Sequence, residues 1–218
     1  MDVVYVIGAD SEELRYSLRS LGNLAGVDQV WIAGHCPKWV QGVETLTTRQ
    51  KSDRYRNTSH NLRRAIGTKA VSDPFILFND DFMALRPVEH RDYDRGPLRN
   101  YLETHRRASQ YRNAALTAYL ALDEMGFEDP LDFDLHLPLT VHKKLMTKAM
   151  RHSDAWKRTI YGNLALAEGA IETTTRTDVK DVTDGDDWVS TSYRSFTHGQ
   201  LGELIRARFP EPSQYEVT

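Results

Sequence analysis

Three short apolar runs, DVVYVIG (2–8), QVWIA (29–33) and FILF (75–78), constrain this chain most. Each is too short for a buried helix, is rich in β-branched or aromatic residues, and is closed by glycine or by polar residues. That is the pattern of a strand buried on both faces. Between the runs, SEELRYSLRSLGNL carries Leu14, Leu18 and Leu21 at helical spacing behind Asp10 or Ser11 as the cap. SHNLRRAIGTKAV carries Leu62, Ala65, Ile66 and Ala70 on one face behind Thr58 or Ser59. VETLTTR (43–49) alternates like an edge strand. Strand, helix, strand, strand, helix, strand predicts an α/β fold with a mixed, mainly parallel sheet flanked by helices.

After Leu85 the texture changes. Residues 86 to 112 hold seven arginines interleaved with acids, the pattern of a salt-bridged solvated face rather than a polyanion track. A helical stretch is expected from about Pro97 through RNAALTAYLALDEMG to Gly126, and another after the proline of LHLPLTVHKKLMTKAM. YGNLALAEGA reads as a short helix and HGQLGELIRARF as a further one. With no strong strand series in this half, the chain is expected to form one domain over 1–218, a ligand-binding half (1–85) extended by a helical half (86–218).

The formal charge of -3 gives no global attraction to nucleic acid. One cysteine, Cys36, excludes an internal disulfide and suits a reducing compartment. The first residues lack the basic region of a signal peptide, and no run approaches the roughly 18 apolar residues of a membrane span. A cytoplasmic protein with no membrane segment is expected. The G-x-G-x-x-G, P-loop, G-x-S-x-G and CxxC motifs are absent.

The chemistry concentrates in FILFNDDFMAL (75–85), where two adjacent acids interrupt an apolar run. Charge is costly to desolvate there unless the strand ends or a cation sits opposite. Ligands of open parallel sheets bind beyond the carboxyl ends of the strands, the position these acids occupy. On an extended chain Asn79 and Asp81 point one way and Asp80 the other. That pairing suits a hydroxyl contact at Asn79 and Mg²⁺ or Mn²⁺ at Asp81, an ion commonly held by one or two carboxylates plus substrate phosphates. Upstream, Arg49, Lys51, Arg54 and Arg56 cluster before an expected helix start, a ready anion site. Asn57 and Asn61, four apart, share a face if both are helical.

Taken together, the opening strand and helix, QVWIAGHCPKWV with its P-x-W segment, the Asn-bearing helix, FILFNDD and LHLPLTVHKKLM resemble the nucleotide-sugar half of GT-A glycosyltransferases. The likeness is greatest to the Stealth family of sugar-phosphate transferases, over roughly 1–85 and 133–150. It implies a GT-A-like fold, a nucleotide-sugar donor (a UDP-sugar foremost) and a divalent cation at Asp81 with Asp80. His136 matches the family histidine, and Asp10 stands in for the acid of its opening motif.

The expected activity is metal-dependent transfer of a sugar from that donor to a hydroxyl acceptor, whether a glycan, a small molecule, a protein or a modified DNA base. Asp81 and Asp80 hold Mn²⁺ or Mg²⁺; Asn79 and Asp10 contact the nucleoside or sugar; Arg54, Asn57 and Asn61 grip the donor; His136 is the acceptor-side base. Stealth-type sugar-1-phosphate transfer is the alternative, and a non-catalytic nucleotide-sugar-binding module the second. His142, His152, His198, Asp186 and Asp187 read as surface residues.

Overall fold

A computed structural model describes residues 1–217. Strand β1 (Val3–Ile7) leads into α1 (Glu12–Ser20), then β2 (Val30–Gly34), β3 (Glu44–Thr47), α2 (Arg54–Gly67) and β4 (Phe75–Phe78). Short strands β5 (Phe82–Ala84) and β6 (Tyr93–Asp94) precede α3 (Leu98–Thr104) and α4 (Gln110–Glu124). The remainder runs β7 (Leu139–Val141), α5 (Lys143–Ala149), α6 (Lys157–Ala165), β8 (Ile171–Glu172), β9 (Trp188–Ser190), α7 (Tyr193–Thr197) and α8 (Gln200–Arg208). No helix among the described residues is long and apolar enough to cross a membrane.

The main sheet has the order β3-β2-β1-β4-β7. The first four strands are parallel, and β7 closes the edge antiparallel to β4, with Leu77 opposite Leu139 and Phe75 opposite Val141. The continuous apolar runs follow from burial on both faces. Val3, Tyr5, Ile7, Ile76 and Phe78 pack with Leu14 and Leu18 of α1 on one side. Val4, Val6, Phe75 and Leu77 pack with Leu62 and Ala65 of α2 and with α4 to α6 on the other. Removing each large side chain from water contributes about 1.5–3 kcal/mol. A third cluster joins β5 and β9, which pair antiparallel, to α7 and α8 through Met83, Val189, Phe196 and Ile205.

Three boundaries differ from expectation. Helix α2 begins at Arg54, capped by Asp53, whose carboxylate accepts from the Arg56 N–H at 2.8 Å. Its buried positions before Leu62 are Asn57, Ser59 and Asn61, so apolar spacing does not reveal that start. The long arginine- and alanine-rich stretch is two helices, because Ser109 caps a new one after the break at 105–109. The helix expected after Pro138 begins only at Lys143, and Leu139–Val141 form β7; three residues carry too little pattern, and a partner more than sixty positions upstream defines them.

Candidate active site

The carboxyl ends of β1, β2, β3 and β4 lie along one edge of the sheet. Because β7 runs the other way, the residues just before it reach that same edge. This reversal brings His136 to the acids that follow β4. The His136 Nδ1 lies 3.0 Å from Asp81 Oδ2, and the Ser190 hydroxyl donates to the same oxygen at 3.0 Å. Ser190 arrives on β9 through the pairing of β9 with β5, and the Thr191 N–H donates to the Asp81 carbonyl at 3.1 Å. The Asp81 side chain is 14% exposed and that of His136 59%. Asp81 Oδ1 and His136 Nε2 have no partner among the described residues. The hydrogen bond to Asp81 raises the imidazole pKa, against the opposing effect of desolvation.

Asp80 and Glu13 stand beside this pair. Burial first, and then the charge of Asp81, pushes the Asp80 carboxyl up. Burial followed by the charges of Asp80 and Asp81 does the same to Glu13, which sits in the first turn of α1 and accepts from the Thr191 hydroxyl. Carboxylates so crowded favour any added positive charge, whether proton or metal ion. Among the described residues no three His, Cys, Asp or Glu side chains are arranged to hold a metal ion. An Mg²⁺ or Mn²⁺ ion at Asp81 and Asp80 would therefore need water and substrate phosphate to complete its ligands, the usual mode for Mg²⁺.

A cleft of about 450 Å³ opens next to His136 and is lined also by Asn79, Arg54, Tyr55, Tyr111, Asp134, Lys157 and Arg158. Three of these are cations. Arg54 is exposed, stacks on Tyr55 and donates to its hydroxyl at 2.6 Å. Lys157 is 5% exposed, donates to the Asp154 carbonyl at 2.8 Å, and is lowered to about 8 chiefly by desolvation. Arg158 is buried, donates to the Leu137 carbonyl, and keeps its Nε without a partner. Opposite them, Asp134 accepts from the Tyr111 hydroxyl. An anion is the ligand such a wall favours.

No protein-family model matches the chain, and no curated protein does.

The residues singled out from sequence separate into three groups. Asp80, Asp81, Asn79, Arg54 and His136 come together at the sheet edge. Asp10 is on the same edge but exposed, with its carboxylate 2.7 Å from His35 Nε2. Asn57 and Asn61 do share a face, but their amides are engaged by the protein itself. Asn57 accepts from the Lys51 N–H and donates to Gln50; Asn61 donates to the Ile7 carbonyl at 2.9 Å and accepts from Thr48. They hold the 48–51 loop to β1, and Gly34 leaves the room: a Cβ there would lie 2.1 Å from the Ile7 carbonyl and 2.4 Å from Asn61 Nδ2. The expected basic cluster is also divided, since Arg54 lines this cleft while Lys51 and Arg56 line another. Asp186 and Asp187 pair with Arg176 and Arg86, in keeping with a surface role.

Sequence reading missed Glu13, Asp134, Lys157, Arg158 and Ser190. For the two cations a signal existed. In AWKRTIYG two charges interrupt an apolar run, the same anomaly that marks FILFNDD. For Ser190 there was none, because a three-residue strand gains meaning only from its partner.

Proposed function

We propose that this edge is the active site of a transferase that moves a sugar from a nucleotide-sugar, a UDP-sugar foremost, to a hydroxyl acceptor with Mg²⁺ or Mn²⁺. The observation that carries the reading is the His136–Asp81–Ser190 constellation beside a cleft walled by Arg54, Lys157 and Arg158. Asp81 Oδ1 and Asp80 would hold the ion, which when bound neutralises the diphosphate leaving group. Arg54, Lys157 and Arg158 supply fixed positive charge for the same phosphates. Asn79 is available to a donor hydroxyl. Asp81 and Ser190 orient His136, leaving Nε2 to take the proton of the acceptor hydroxyl. The acceptor oxygen bonds to the anomeric carbon, the bond from that carbon to phosphate oxygen breaks, and the nucleoside diphosphate leaves.

A second reading is favoured by the three cations next to His136, which also suit a phosphoryl group under attack. In it the acceptor oxygen bonds to the sugar-linked phosphorus and a nucleoside monophosphate leaves. Products separate the two readings: release of nucleoside diphosphate marks glycosyl transfer, and release of monophosphate marks sugar-phosphate transfer. A thermal-shift screen of nucleotide-sugars with and without Mn²⁺ tests both. Occupancy at a hundredfold excess over Kd is expected to add about 2.7 kcal/mol of stability. If no nucleotide shifts the protein, the donor assignment fails; if one binds and is never turned over, a binding module remains.

A further inference from the structure

The second cleft of the α2 region has no part in the transfer scheme. It measures about 430 Å³ and is lined by Lys51, Ser52, Asp53, Arg56, His60, Arg63 and Asp154. Arg56, His60 and Arg63 recur at helical spacing along one side of α2. Arg63 pairs with Asp154 at 3.1 Å, whereas the side chains of Lys51, Arg56 and His60 have no partner among the described residues.

Two features set this face apart from an ordinary solvated one. Lys51, Arg56 and Arg63 line the groove against Asp53 and Asp154, in a protein whose formal charge is -3. Behind its Asp53 cap, the first turn of α2 also carries Arg54 and Arg56. Cations at a helix N-terminus oppose the macrodipole. Helix α1 shows the favourable arrangement, with Glu12 and Glu13 first and Arg19 last. Beyond the single Asp53 cap, the charge on this turn is placed against local stability, and an anionic ligand would offset that cost. The two clefts flank the same first turn: Arg54 belongs to one and Arg56 to the other, and Asp154 and Ala155 are divided between them in the same way.

We infer that the outer groove of α2 binds phosphate groups of an extended phosphate-bearing chain, which crosses the first turn of α2 into the transfer cleft. The groove stands on its own geometry, and only the identity of the far end as a substrate rests on the transferase reading.

The probe is linear medium-chain polyphosphate, titrated calorimetrically into the full chain at low ionic strength without metal or nucleotide. Lys51→Ala/Arg56→Ala is expected to weaken binding about tenfold, because exposed charge pairs each contribute modestly. Arg64→Ala/Lys69→Ala removes the same charge from exposed positions outside the groove and is expected to cost less than about twofold. Arg54→Ala should weaken binding as well, because the chain crosses to its side. No binding by the wild type overturns the inference, as does equal loss in the two double variants, which would mean diffuse attraction. An Arg54→Ala protein that binds like the wild type overturns the crossing. Turnover of nucleotide-sugar is read separately, so an inactive protein with a groove-dependent affinity refutes the transferase and leaves the groove.

Discussion

The two oxygens of the Asp81 carboxylate have different surroundings. Oδ2 holds His136 and Ser190, and Oδ1 remains open. Because His136 is mostly exposed, His136→Ala should leave the melting temperature nearly unchanged while turnover falls on the order of a hundredfold or more, the usual contribution of a positioned base. A thermal melt beside a product assay checks both halves; a large drop in melting temperature would make His136 structural. Lys157 should behave in the opposite way. Its folded pKa of about 8 lies below the unfolded 10.5, so the unfolded chain binds more protons between those values. The burial penalty is present in full below pH 8, shrinks as pH rises, and is gone above 10.5. Lys157→Met is expected to add on the order of 2 kcal/mol near pH 7, flatten the alkaline rise and abolish turnover. Denaturant melts from pH 7 to 10.5 measure this directly.

At the scale of elements, α6 is the part most exacting about its neighbours. It carries both buried cations, and it approaches the 131–134 segment so closely that a Cβ on Gly162 would meet the Phe133 ring at 2.1 Å. Asn163 completes the contact by bonding both the N–H and the carbonyl of Leu131. Gly162→Ala should therefore destabilise by about 1–3 kcal/mol through overpacking, although alanine is the better helix former. It should also lower turnover, because the same shift moves Lys157 and Arg158 away from Asp134 and His136. An alanine variant as stable as the wild type would refute the close approach. Helix α2 shows how polar residues hide an element: its inward positions before Leu62 are occupied by Asn57, Ser59 and Asn61, so periodicity places its start too late.

For the whole molecule, the C-terminal segment acts as a clamp. Glu216 is 1% exposed and takes ion pairs from Arg15 and Arg19 of α1, while its backbone bridges to Val40. Hydrogen bonds from Arg19, the Ser213 N–H and Arg15 outweigh desolvation and hold the carboxyl down at about 2, against 4.5 when unfolded. Its stabilisation is complete above pH 4.5 and is lost as pH falls toward 2, a change of about 3 kcal/mol. Glu216→Gln should lower stability at pH 7 and remove most of the acid sensitivity in that window. Acid titration of the denaturation midpoint tests it.

The apolar runs 3–7, 30–34 and 75–78, their intervening amphipathic helix α1 and the acids after the last run were all legible, because strand burial and charge desolvation act on neighbouring residues. The histidine before β7 was singled out only through a resemblance. Tertiary structure alone decided that β7 turns back along β4 and thereby carries His136 to Asp81. It alone aimed Ser190 at the same oxygen, bound the asparagines to backbone rather than leaving them free, and sent Arg54 and Arg56 to opposite sides of one helical turn. Those outcomes depend on pairing between residues tens of positions apart, where the free energy lies in the contact and not in either segment.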